Sequence, residues 1–189
     1  APYKSVLTHE FILDTNKEKL SKSTGAKPAA ELMAKYGSDV LRLWNASQDY
    51  TKEITYSDDI MSQASNIYCT LRNTLRYQLA NLSGFDAQKD GLALDKCLPI
   101  DQWVVAETAS LVEEVSSANE RFEFAKAYLA ITRFCQQTLS AVYHDCIKDR
   151  MYTCGEKSLE RRSAQTALDI VFNNLTRLLA PFIPFTADE

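Results

Sequence analysis

Lys19, Ser21, Lys22 and Ser23 fall within five residues of one another, inside the stretch KEKLSKSTG at positions 17–25. A lysine ammonium supplies a compact, mobile positive charge, and neighbouring hydroxyl and backbone N–H groups supply hydrogen bonds; together these are the donors that a phosphate needs. If a triphosphate were to release pyrophosphate beside it, such a loop would neutralise the charge developing on the leaving group. The same composition also describes an ordinary solvated turn. GxxxxGK[ST] is absent from the chain, so the stretch is not a P-loop.

The surrounding elements would have to hold this loop in place. Val6, Leu7, Phe11, Ile12 and Leu13 predict one or two short strands over 5–13, and polar and turn residues break that pattern from Asp14 onward. Pro28 suits a helix start and Gly37 its stop, and Ser38 opens a second helix with Val40, Leu43 and Trp44 on one face. Ser57 can cap a long helix reaching Ser83 and closed by Gly84, with Ile60, Ala64, Ile67, Leu71, Leu75, Leu79 and Leu82 at spacings of three and four. Residues 84–98 read as loop. A second long helix starts near Pro99 and Asp101 and carries Val104, Leu111, Val115 and Phe122. A third covers 123–151, a fourth covers 158–179, and a Pro-broken link leads into a new helix near Thr186. The expected fold is mainly α: an antiparallel helical bundle over 58–189, preceded by a short α/β stub over 1–57.

Composition narrows the function classes. The net charge is −4, and residues 61–120 hold eight acidic against four basic groups, so no overall field draws the chain to nucleic acid. Any such surface must be a local patch towards the C-terminal third. The five cysteines show no CxxC pair, which argues against a zinc site or a disulfide framework. No apolar run approaches the roughly 18 residues of a spanning helix, so no membrane partner is expected. The chain opens APYKSVLTHE without Met or a signal pattern, and its end reads as a helix cut short, so a fragment is expected.

KLSKS at 19–23 resembles the KMSKS signature of class I aminoacyl-tRNA synthetases, with Leu20 in place of Met. YGSDVLRLWNASQDYTKEITYSDD at 36–59, IYCTLRNTLRYQLANLSGFD at 67–86 and YHDCIKDRMYT at 143–153 resemble, in the same order, the segments that follow it in the isoleucyl members of that family. The lead-in at 1–14 is similar too, so the resemblance covers nearly the whole chain. Two features depart from the pattern: Ala26 follows Gly25 where the family has Gly-Asn, and the stretch to Pro28 is shorter.

The resemblance implies that 1–57 is the end of a catalytic core with its connecting helices and that 58–189 is a helical anticodon-binding domain. It implies ATP as a ligand, with Mg as its usual companion, bound by Lys22 with Lys19, Ser21 and Ser23. It implies an isoleucine-accepting tRNA as partner, a monomer, and a cytoplasmic setting. The parent enzyme would join isoleucine to its tRNA. The HxGH motif that acts with KMSKS is missing, since neither His9 nor His144 sits in it, so the fragment alone is expected to be inactive. RNA contact calls for basic groups on phosphates; the candidates are Arg72 and Arg76 on one helix, and Lys148, Arg150, Lys157, Arg161 and Arg162 near a helix–helix turn.

Plainer readings stand beside these. Surface Arg and Lys mostly keep a helix face wet, and Lys148-Asp149-Arg150 could be a structural ion-pair corner. His144 next to Asp145 and Cys146 is expected to be a satisfied or surface histidine rather than a metal ligand. Trp44, Trp103, Tyr68, Tyr77, Tyr128 and Tyr143 are expected in the core. Asp58 and Asp59 suit a helix start. The alternatives left open are a valyl or leucyl relative and a helical protein-interaction module.

Overall fold

The computed structural model describes residues 2–19 and 29–189. Its only sheet among these residues is a pair of two-residue strands, β1 (Ile12–Leu13) and β2 (Ile54–Thr55), which run parallel with Ile12 opposite Ile54. The second strand is not anticipated by the sequence pattern, and residues 5–11 lie outside the ladder with Val6, Leu7 and Phe11 exposed. A strand needs a partner on at least one side, and β2 reaches only the end of the apolar run.

Helices build the rest. Gly37, with φ of 86°, separates α1 (Ala29–Tyr36) from α2 (Ser38–Ser47). α2 buries Val40, Leu43 and Trp44, and Trp44 joins Val40, Ile54, Met61 and Ala64 in a small core beneath the strand pair. The Ser57 hydroxyl accepts from the Ile60 N–H at 3.2 Å and caps α3 (Asp58–Asn81), so Asp58 and Asp59 do occupy its first turn. Gly84, with φ of 73°, turns the chain out of it.

Among the described residues the four long helical segments are α3, α5 (Pro99–Glu120), a segment continuous through α6 (Phe124–Arg133) and α7 (His144–Thr153), and α8 (Leu159–Leu179), capped by the Ser158 hydroxyl. Between α6 and α7 the helix widens over Phe134–Tyr143 to π-type hydrogen bonding, and the His144 N–H reaches back to the Leu139 carbonyl. Leu71, Val104, Val115, Ile131, Leu139, Ile147, Leu168 and Leu175 share the main core. α9 (Pro184–Asp188) closes the described chain.

Three expectations are corrected. Residues 84–98 hold a short helix α4 (Ala87–Asp90), capped by Asp86, and a 3-10 turn at Leu94–Lys96. Leu79 is 56% exposed, and Gln78 takes the inward position instead. The 71–75–78 spacing stays on the core face, where the Gln78 Nε2 lies 3.4 Å from the His144 Nε2 while its Oε1 has no partner among the described residues. Phe122 leaves the α5 stripe, which Ala118 completes. With φ of 58° Phe122 adopts the left-handed conformation that ends α5: its N–H bonds the Asn119 carbonyl, and the Glu123 N–H bonds the Ala118 carbonyl. That is the position at which glycine is common, and a side chain there costs roughly 1 kcal/mol. The Tyr50 hydroxyl donates to the Phe122 carbonyl at 2.9 Å and braces the turn.

Of the aromatic residues expected in the core, Trp44 and Tyr143 are buried, while Tyr68, Trp103 and Tyr128 pack partly buried against it. Among the described residues no helix is long and apolar enough to cross a membrane.

Candidate nucleic-acid interface

The root of the lysine–serine loop is a tight turn after β1. One Asp14 carboxylate oxygen accepts from the Asn16 and Glu18 N–H groups, each at 2.8 Å, and the Asp14 N–H donates to the Glu18 carbonyl. This pairs Leu13 with Lys19 in an antiparallel bridge and sets the Lys19 ammonium 3.6 Å from the Phe11 ring centroid. A groove of about 440 Å³ runs beside it, lined in part by His9, Phe11, Lys19, Asn45, Tyr50 and Phe124. Lys19 is therefore held at the rim of an aromatic-lined groove. Ser21, Lys22 and Ser23 lie outside the described residues.

The structure divides the seven basic RNA-contact candidates by what they already touch. Arg150 is clasped by Asp101, Nη1 to Oδ2 at 2.8 Å and Nη2 to Oδ1 at 2.9 Å, and it also reaches the Glu160 carbonyl. Asp101 is fully buried and accepts further bonds from the Tyr143 hydroxyl at 2.8 Å and the Ser163 hydroxyl at 2.5 Å. Burial pulls the Arg150 guanidinium down, and its bonds and charge pairing with Asp101 more than offset that, leaving it raised. Burial first, and then the Asp101 charge, push the Tyr143 phenol far up. One carboxylate thus ties α5, the π segment, α7 and α8 together.

Arg162 is similarly engaged, with Asp90 at 3.1 Å and Gln165 at 2.9 Å, and its guanidinium lies 5.7 Å from the Phe85 ring. Arg72 forks onto both carboxylate oxygens of Glu189 at 2.9 Å. Lys148 pairs with Asp145 one turn earlier at 2.7 Å, and its hydrogen bond to Asp145 raises the ammonium pKa.

Arg76 and Lys157 are exposed, and among the described residues neither forms an ion pair. Arg76 overhangs a cleft of about 490 Å³ whose lining includes Arg72, Leu75, Leu79 and Phe172 together with the acidic Asp188 of α9 and Glu189 after it. Lys157 stands in the turn between α7 and α8. Arg161 is half-buried beside it, with its Nε buried and without a hydrogen-bond partner among the described residues. Among the seven candidates, the Arg76 cleft and the α7–α8 turn are where positive charge is left without an ion pair within the described residues.

His144 lies on the opposite side of this division. It is 6% exposed, its ring stacks on Tyr77 with centroids 4.3 Å apart, and burial lowers its pKa to about 4. Its environment is that of a packed neutral imidazole. The sequence pattern marks Asp101, which anchors the turn, only as a helix-start residue. The signal that identifies it is an acid three residues before Val104, on the apolar stripe of α5, where an unpaired carboxylate would be prohibitively costly.

Known proteins align with both parts of the chain. Residues 1–57 match the family of tRNA synthetases class I (I, L, M and V), and residues 101–189 match the anticodon-binding domain of tRNA ligase. Isoleucine–tRNA ligases of Syntrophotalea carbinolica and Coxiella burnetii are each 46% identical across the whole chain, and that of Methylacidiphilum infernorum is 45% identical. The chain spans about a fifth of the length of these relatives, 20–21%. A solved ternary complex of a LeuRS from Agrobacterium radiobacter K84 with tRNA and LeuAMS superposes on 95% of this chain and 21% of its own, with a TM-score of 0.69 at 21% identity. The likeness to that structure establishes the fold, a helical bundle carried by a small α/β unit. With ordered matches along its whole length, the chain belongs to the class I tRNA synthetase family, on its isoleucine–tRNA ligase branch.

Proposed function

We propose that the chain is the part of an isoleucine–tRNA ligase that carries the lysine–serine loop and the tRNA-binding bundle. The whole enzyme uses ATP to form an isoleucyl adenylate and then esterifies its tRNA. The reading rests above all on 46% identity to isoleucine–tRNA ligases sustained across all 189 residues. The division of labour follows the sequence: 1–57 closes the catalytic core, and 58–189 meets the anticodon stem-loop.

In this reading Lys22 places its ammonium on the ATP phosphates as pyrophosphate departs, with Lys19, Ser21 and Ser23 supplying further donors. Mg²⁺ arrives on the nucleotide as part of the substrate. Lys19, anchored by the Asp14 turn, fixes where the loop begins. The outward charges Arg76, Lys157 and Arg161, with Lys148 nearby, contact tRNA phosphates. Arg72, Arg150 and Arg162 hold the helices that present them. Without an HxGH motif the chain by itself activates no amino acid. The enzyme works as a cytoplasmic monomer.

Fluorescence anisotropy with isoleucine tRNA, and with the same tRNA carrying a replaced anticodon, tests the binding half of this reading at several salt concentrations. A preference for the native anticodon that survives moderate salt is expected. Equal, salt-labile binding of both would refute specific recognition by this bundle.

A further inference from the structure

Asp39, near the start of α2, is 6% exposed, and its carboxylate accepts three hydrogen bonds from α9, about 147 residues later in the chain. One oxygen takes the Thr186 N–H at 2.7 Å and the Thr186 hydroxyl at 2.6 Å, and the other takes the Phe185 N–H at 3.3 Å. These N–H groups belong to the first turn of α9, where a helix has no partners of its own, so a residue from a distant helix does the work of a cap. The joint is reinforced on both sides. Arg42, one turn along α2, donates to the Pro181 carbonyl at 2.8 Å, and the Tyr68 hydroxyl from α3 bonds the Thr186 hydroxyl at 2.9 Å.

This joint connects the two halves of the molecule. α1 and α2 are the helices that immediately follow the lysine–serine loop, and α9 follows directly from the last long helix of the bundle. We propose that Asp39 is a positioning residue for the tRNA-dependent step, setting the angle between the loop-bearing unit and the bundle. The proposal rests on the ligase reading above. Activation of isoleucine involves only small molecules bound at one place. Charging requires one tRNA to be held on the bundle while its acceptor end lies at the loop-bearing core, so a small error in the angle is felt at the reacting atoms. Asparagine at 39 preserves size but keeps one acceptor oxygen, and it turns an NH₂ group towards the N–H donors of α9.

The experiment uses the full-length enzyme carrying Asp39→Asn, Thr186→Val or Thr186→Ser. Isoleucine-dependent ATP–pyrophosphate exchange without tRNA is compared with aminoacylation, and each variant's melting is checked. Exchange is expected to stay within about twofold while kcat/KM for tRNA falls roughly tenfold in Asp39→Asn, as lost charge-assisted bonds imply. Thr186→Val falls less, and Thr186→Ser, which keeps the hydroxyl, restores charging. If Asp39→Asn fails to fold, Thr186→Val decides by the same comparison. Equal losses in both reactions, or unchanged charging, overturn the positioning role. No isoleucine-dependent exchange in the unaltered enzyme overturns the ligase reading and this role with it.

Discussion

Arg150 and Asp101 form a two-pronged ion pair, with a fully buried carboxylate and a guanidinium whose side chain is 15% exposed. The pair is the hub from which Tyr143 and Ser163 are also held, so α7 and α8 are braced against α5 on either side of the turn that bears Lys157 and leads to Arg161.

Arg150→Ala leaves that carboxylate buried without its cation. The cost should be about 3–5 kcal/mol of unfolding free energy, the range for breaking a buried pair by deleting one partner. Urea unfolding of the chain measures it. A loss below about 1 kcal/mol would place the pair with ordinary surface bridges and remove its role as hub.

His144 makes stability pH-dependent in a defined window. Its folded pKa is lowered from 6.5 to about 4 by burial, with the nearby Lys148 charge as a lesser cause. Between those values the unfolded chain binds a proton that the folded chain does not, so stability falls as pH drops below about 6.5 and the loss is complete near 4. At pH 5 this amounts to roughly 2 kcal/mol relative to neutral pH. Comparing unfolding at pH 7 and pH 5 for the native chain and His144→Phe isolates the effect; equal slopes for the two would contradict it.

On the proposed reading, Arg76→Gln and Lys157→Gln should each weaken tRNA binding several-fold and reduce the logarithmic salt slope by about one, because each would remove one charge placed on a phosphate. Arg162→Gln, which breaks the pair with Asp90, should lower stability and leave the salt slope unchanged. Anisotropy titrations over a salt series distinguish the two classes. Unchanged slopes for Arg76 and Lys157 would move the RNA surface elsewhere.

Lys22→Ala in the full-length enzyme should depress ATP–pyrophosphate exchange about a hundredfold, the scale for removing one donor aimed at developing charge. Binding of tRNA to the bundle should be unaffected. Exchange within a few-fold of the unaltered enzyme would return the loop to the class of solvated turns.

Much of this molecule is written locally in its residues. Ser57 and Ser158 cap α3 and α8, Gly37 and Gly84 mark helix ends, and the three- and four-residue apolar spacing carries the bundle, because helix start, stop and buried face depend on neighbours within a turn or two. The KLSKS stretch and the ordered blocks after it were equally legible, and they identified the family.

What only the tertiary structure decided is which polar groups are spent. Arg150 meets Asp101 across 49 residues, Arg72 meets Glu189 across 117, and Asp39 meets Thr186 across 147. No local pattern distinguishes those side chains from the outward Arg76 and Lys157. Gln78 displaces Leu79 from the core for the same reason: its partner, His144, comes from another helix. Periodicity reports the face a residue is on, whereas the partner waiting on that face is set by how the helices pack.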